Sequence, residues 1–285
     1  MLCNYHTHTT YCDGKSAISD FVAQAIHKGF DHLGFSAHAP ILGDTDFSIQ
    51  EHAIPDYLQD IAKMKQQQDK VQLFSGLECD FIPGATKPFS YFKEQYHFDY
   101  LIGGIHLVKP VHTDGIWFID GSKRETYDEG LFTLFDGDSK RAVTRYWEQL
   151  FEMVETETFD IIAHADKIKM HNQGRFFSQD EPWYVKLVDH AVTLIKRANL
   201  IMEINTRGIY KGRCDEFYPS DYMIRKAVAL DIPFVVSSDA HKADELGLLH
   251  DEATQRLREL GVRALCYLED GVWKTKSENT HPFLS

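Results

Sequence analysis

The sequence predicts an α/β fold in which about seven parallel strand–helix units close into a TIM-like barrel. Three observations predict it: short apolar segments recur along the 285 residues, amphipathic helical stretches separate most of them, and no shift of composition divides the chain. Strands that alternate with helices pair in parallel, and this many units without a break favour a closed barrel over an open sheet.

The strand segments are residues 2–5, 33–35, 71–74, 100–102, 159–162, 200–204 and 233–236, each short and apolar or β-branched. Helical patterns lie at 18–28, 57–68, 142–154, 183–197 and 221–229, where apolar residues return at three- and four-residue intervals. Ser16 and Ser220 stand at or just before helix starts and read as caps. From 263 to 277 two further strands, 264–268 and 272–276, flank a turn at Glu269, Asp270 and Gly271, as a terminal hairpin or as part of a last barrel unit. The stretch 107–138 resists the scheme. It is rich in aromatics (Trp117, Phe118, Tyr127, Phe132, Phe135) and weak in periodicity, so it reads either as a lid or insertion or as an extra packing element. With no internal repeat and no low-complexity linker, residues 1–285 read as one domain.

Composition narrows the partners. A formal net charge of -13 would repel a long polyanion, whereas nucleic-acid binders expose a basic face. A small phosphorylated metabolite remains compatible, because bound cations can reverse the field inside one pocket. The five cysteines (Cys3, Cys12, Cys79, Cys214, Cys266) are scattered without a CxxC pair, which argues against a disulfide framework or a thiolate zinc site and for a reducing, cytoplasmic setting. No apolar run reaches membrane-spanning length and no basic start leads an apolar stretch, so the chain is expected to be soluble and without a cleaved leader.

His6 and His8 follow the first strand segment, and side chains two apart on a strand share a face. A lone HxH is weak evidence among fifteen histidines. Further His and acid residues close later strands: His38 after HLGFSA, Glu78 in LFSGLE, His106 after LIGG, His164 after DIIA, and Asp239 with His241 after FVVSS. In a parallel barrel those C-terminal ends converge on one face, so the set reads as a metal site more readily than as buried packing histidines. Imidazole and carboxylate without thiolate suit zinc, manganese or iron. The remaining histidines, from His27 to His281 and including His171, read as solvated or locally packed. The one strand end without an obvious ligand, EINTRGIYKGR, presents Thr206, Arg207, Lys211 and Arg213, and the HNQGRFF loop adds Arg175. Arginine's fork of N–H donors matches phosphate oxygens, which makes Arg207 the first and Arg175 the second expected anion anchor.

In this order HTHTTYCDG, His38, GLECD, GGIH, AHADK and SSDAH resemble the motifs of the PHP (polymerase and histidinol phosphatase) superfamily, with the histidinol-phosphate phosphatase branch most similar. The resemblance runs from about residue 4 to residue 245. It implies a distorted (β/α)7 barrel with three divalent metal ions at the C-terminal ends of its strands. Carried over by position, it puts His6, His8, Glu78 and Asp239 on one metal, with Glu78 bridging to a second that His106 and His164 complete. Asp13, His38 and His241 hold the third, and Asp13 departs from the histidine that many relatives have there. The implied activity is phosphoric monoester hydrolysis, with L-histidinol phosphate as substrate and histidine biosynthesis as setting. A metal-held hydroxide would attack phosphorus, so that Glu78, Asp239 and His241 act through the metals. Asp80, Asp120 and Asp166 are available for the cationic amine and imidazole of histidinol. The alternatives are a phosphoesterase of the same superfamily acting on nucleotides or nucleoside bisphosphates, and a non-catalytic metal-binding module.

Overall fold

The structure, a computed structural model, describes residues 1–41 and 45–277. His281 lies outside the described residues. Strands β1 (Cys3–Asn4), β2 (His32–His38), β3 (Gln72–Asp80) and β4 (Tyr100–Gly104) are followed by a short antiparallel ribbon of β5 (Leu107–Val108) and β6 (Trp117–Phe118). The parallel series then resumes with β7 (Ile161–Ile162), β8 (Ile201–Asn205) and β9 (Phe234–Ser237). The seven parallel strands run in the order β1-β2-β3-β4-β7-β8-β9. A parallel bridge between Thr7 and Ala240, with His8 N donating to Ala240 O at 2.8 Å, joins the first strand to the last. The result is a nearly closed (β/α)7 barrel.

Helices α1 (Ile18–Lys28), α2 (Ile54–Gln67) and α3 (Phe89–Tyr96) cover the first strands, and α4 (Arg124–Phe135) and α5 (Ser139–Thr156) follow the ribbon. The later strands are followed by α6 (Pro182–Arg197), the single turn α7 (Arg207–Tyr210), α8 (Asp221–Ala229) and α9 (His250–Glu259). On α1, residues Ile18, Phe21, Val22 and Ala25 are buried, the three- and four-residue spacing that gives a helix one apolar face. Neither predicted serine cap makes the expected bond. Ala17 is the N-cap of α1 and Ser16 Oγ instead accepts from Ala243 N, while Ser220 caps α8 without a side-chain hydrogen bond.

The barrel interior divides into two regions. Its lower part is an apolar plug of Tyr5, Tyr100, Ile102, Ile161, Ile201 and Val235, sealed by Cys266 and Leu268 of a terminal hairpin, β10 (Ala264–Glu269) and β11 (Val272–Ser277). Leu268 N donates to Tyr5 Oη at 2.8 Å, and Trp273 packs edge-on against Tyr5 with ring centroids 5.0 Å apart. Gly76 is required here, because a Cβ would stand 2.5 Å from Cζ of Tyr100. The upper part holds the polar residues of the site.

The 107–138 stretch combines the ribbon with α4. Trp117 and Tyr127 are fully buried, their ring centroids 4.7 Å apart, so part of it is core. Phe118 and Asp120 face the cavity over the strand ends. Its helix escaped the periodicity because its apolar positions Tyr127, Leu131 and Phe135 are interleaved with Gly130, Phe132 and Leu134. Among the described residues no helix is long and apolar enough to cross a membrane.

Candidate metal centre

His6 and His8 leave β1 pointing into the barrel, where both are fully buried. His38 is the last residue of β2, and Glu78 lies beside it in register on β3. His106, His164 and Asp239 each stand two residues beyond the end of a strand, so that parallel pairing carries all of them to one face. His164 (φ 29°) and Asp239 (φ 50°) have left-handed backbones, a conformation that surrounding contacts must impose on residues other than glycine.

Glu78 sits at the centre. Its Oε2 lies 3.1 Å from His6 Nε2, 3.3 Å from His8 Nε2 and 3.1 Å from His38 Nδ1, while Oε1 lies 2.9 Å from His164 Nε2 and 3.4 Å from His106 Nε2. Asp239 Oδ1 approaches His6 and His8 at 3.8 and 3.4 Å. Asp13 Oδ2 is 3.2 Å from His241 Nε2, and its Oδ1 is 4.0 Å from His38 Nε2. Among the described residues, ligand-capable atoms within 4.8 Å of one another form five overlapping groups: His6–His8–Glu78, His6–His164–Asp239, Glu78–His106–His164, His38–Asp80–His106 and His8–Asp13–His38–His241. The groups share members, His8 among them, whereas the family pattern gives His8 to one metal.

The fit to cations can be judged from unmet valence. His6 Nε2, His8 Nε2, His38 Nδ1, Glu78 Oε2 and Asp13 Oδ1 are buried without a hydrogen-bond partner. Leaving several polar atoms of one cluster orphaned is costly unless something else satisfies them. Burial opposes charge on Glu78, but the fields of His6, His106 and His38 outweigh it and hold its carboxyl well below the ordinary range. Burial pushes His38 down to about 3 against the pull of Glu78, whereas against their own burial the nearby carboxylates raise His6 to about 10 and His106 to about 9; a metal ion bound at those rings would displace their protons. These residues fit divalent metal ions.

A supporting layer, which the sequence did not reveal, fixes the candidate ligands. Glu203, fully buried in β8, contacts His6 Nδ1 through Oε1 at 2.6 Å and accepts from His164 N through Oε2 at 3.0 Å. Its signal was an acid alone among the apolar residues of its strand. Asp80 Oδ1 holds His106 Nδ1 at 2.9 Å, and Asn205 Nδ2 donates to Asp239 Oδ2 at 3.1 Å. Such partners fix a ring's tautomer and orientation.

A cavity of about 220 Å³ opens over the cluster, lined by Asp13, His38, Asp120, Lys167, Arg207 and Arg213 among others. Of the predicted anion anchors, Arg207 and Arg213 reach it. Arg207 NH1 donates to Asp239 O at 2.8 Å, and Arg213 NH1 is 3.9 Å from Asp120 Oδ1. Arg175 does not reach it, because Asp128 binds its guanidinium with two bonds of 2.7 Å. Lys211 is absent from the lining and pairs with Glu245. Of the three acids suggested for an amine, Asp166 is committed to Lys169 (2.9 Å) and Ser220 N (2.7 Å), and Asp80 to His106. Asp120 alone lines the cavity. His171 is locally packed, donating to Gly121 O.

The PHP domain family model matches residues 4–207. The chain belongs to the PHP domain family. The chain is 27% identical over 271 residues to a Deinococcus radiodurans protein named "Probable histidinol-phosphatase", covering 93% of this chain and 96% of that one. It is 22% identical over 271 residues to the histidinol-phosphatase of Bacillus subtilis, covering 88% and 97%. Among solved structures, the histidinol phosphate phosphatase of Lactococcus lactis, complexed with zinc, L-histidinol and phosphate, is similar in fold. The TM-score is 0.68 at 18% identity, over 96% of this chain and 98% of that one. The matches cover 88–96% of this chain and 96–98% of each relative.

Proposed function

We propose that this PHP protein is a metal-dependent phosphoric monoester hydrolase that converts L-histidinol phosphate and water to L-histidinol and phosphate in histidine biosynthesis. The observation that carries the chemistry is Glu78, a buried carboxylate ringed by five imidazoles beneath a cavity fringed with arginine. Three divalent ions of the zinc, manganese or iron type would be held by His6, His8, Glu78 and Asp239; by Glu78, His106 and His164; and by Asp13, His38 and His241. Divalent cations there would lower the pKa of water and offset the charge of a phosphoryl group, the two obstacles to monoester hydrolysis.

The chain's own residues supply the rest. Glu203 and Asp80 hold His6 and His106 in one orientation. Arg207 braces the Asp239 backbone and, with Arg213, presents N–H donors to the cavity. Its part-buried bond to Asp239 O makes Arg207 part of the site's frame as well as a phosphate anchor. The substrate assignment follows the named relatives, which match the chain over nearly its whole length. Turnover by metal-replete protein of histidinol phosphate, nucleoside monophosphates, 3',5'-bisphosphates and oligonucleotides tests it. The highest kcat/KM is expected for histidinol phosphate, and a preference for any nucleotide would replace the substrate while keeping the chemistry.

A further inference from the structure

Beside the candidate metal centre lies an ion pair to which the family pattern gives no task. Lys167 follows β7 in AHADK, and its side chain is only 2% exposed. Its Nζ stands 2.8 Å from Asp120 Oδ2 and 3.9 Å from Asp239 Oδ2, so its charge lies at the edge of the ligand cluster. Asp120 comes from the excursion after β6, and its Oδ2 is also 3.6 Å from His106 Nε2. Its other oxygen, Oδ1, is buried without a hydrogen-bond partner, with Arg213 NH1 3.9 Å away. Both residues line the cavity.

A buried ion pair is weak evidence for stability, because desolvating two charges offsets much of their attraction. This one instead presents one positive and one negative group, side by side, at the position where substrate must enter. A phosphate monoester of an amino alcohol carries the complementary pair of charges a few bonds apart. We propose that Lys167 and Asp120 form a split-charge substrate subsite, in which Lys167 takes a phosphoryl oxygen and Asp120 takes the ammonium of the alcohol. In the free protein the two charges offset each other through Asp120 Oδ2; in the complex each residue exchanges its partner for a substrate group of the same sign. The subsite selects phosphomonoesters whose alcohol is cationic, and it rejects neutral alcohols by leaving Asp120 unpaired. The inference rests on the phosphomonoesterase reading and goes further in naming what distinguishes one monoester from another.

Separating the pair is a cost that two ligands share, so binding of either should favour the other, by the same factor in both directions. Calorimetric titration of zinc-replete wild-type protein with inorganic phosphate and L-histidinol measures this without turnover. Saturating phosphate should tighten L-histidinol by about tenfold, and L-histidinol should tighten phosphate equally. Asp120→Asn should weaken L-histidinol by about tenfold or more while phosphate binds no less tightly, since Lys167 is then unopposed. Lys167→Met should do the reverse. Zinc content and thermal unfolding of each variant establish that it is folded, and the wild-type coupling decides alone if a variant is not. Independent binding of the two ligands overturns the inference, as do parallel rather than crossed losses in folded variants. Absence of any histidinol phosphate turnover by the wild type would instead overturn the underlying functional reading.

Discussion

Glu78 shows how much one side chain can be asked to do. Both of its oxygens face imidazole nitrogens, three around Oε2 and two around Oε1. Glu78→Gln replaces one oxygen by an amide nitrogen, which donates hydrogen bonds and cannot bind a cation. Metal analysis of this variant should show at least one ion fewer per chain than the wild type, with turnover largely lost. Full metal content and near-normal rate would show that Glu78 bridges nothing. Glu203 is tested more finely, since it touches a candidate ligand, His6, on the ring nitrogen that faces away from Glu78. Glu203→Gln keeps the shape and removes the charge that holds His6 Nδ1, so metal affinity in chelator competition should fall by about 10- to 100-fold. An unchanged affinity would reduce Glu203 to packing. The HxH and SSDAH motifs made the candidate ligands legible, but Glu203 reads in sequence as one acid in a strand, and only its approach across the barrel to His6 gives it a task.

At the scale of elements, the strands fix positions because a parallel register leaves no choice. His38 is paired with Glu78 in the β2–β3 register, and Asp80 with Gly104 in the β3–β4 register. The helix at 18–28 and the helix at 221–229 were legible to the residue, since an apolar face repeats at helical spacing. Helix α4 was not, because apolar residues on both of its sides blur the period. Below the site, the strands close on Tyr100, whose hydroxyl donates to the carbonyls of Tyr5 and Phe35 and so cannot yield space. Gly76→Ala would force a methyl group into that ring at 2.5 Å. Calorimetry should record a loss of about 1–3 kcal/mol in stability, the usual cost of overpacking. A variant as stable as the parent would mean that the barrel floor is loosely packed.

For the molecule as a whole, the buried acids and imidazoles form a charged interior that cations would complete. Ligands that bind only the folded state stabilise it by mass action. Stripping the protein with a chelator should therefore lower its Tm, on the order of 5 °C or more, and restoring zinc or manganese should bring it back. An identical Tm with and without chelator would sink the metal reading at its root. The chain as a whole carries a formal net charge of -13, while Lys167, Arg207 and Arg213 give the cavity its own basic fringe.

The sequence by itself determined the alternation of strand and helix and the order of the His and acid motifs, and these two facts led to the barrel, the family and the chemistry. Both are local properties: a period, or a residue type at a strand end. What only the tertiary structure decided is which side chains meet. It sent Arg207 and Arg213 to the cavity, tied Arg175 to Asp128 and Lys211 to Glu245, and spent Asp80 and Asp166 on neighbours. It also set Lys167 against Asp120, 47 positions away in sequence. Charged side chains choose partners by distance in space, which no spacing along the chain encodes.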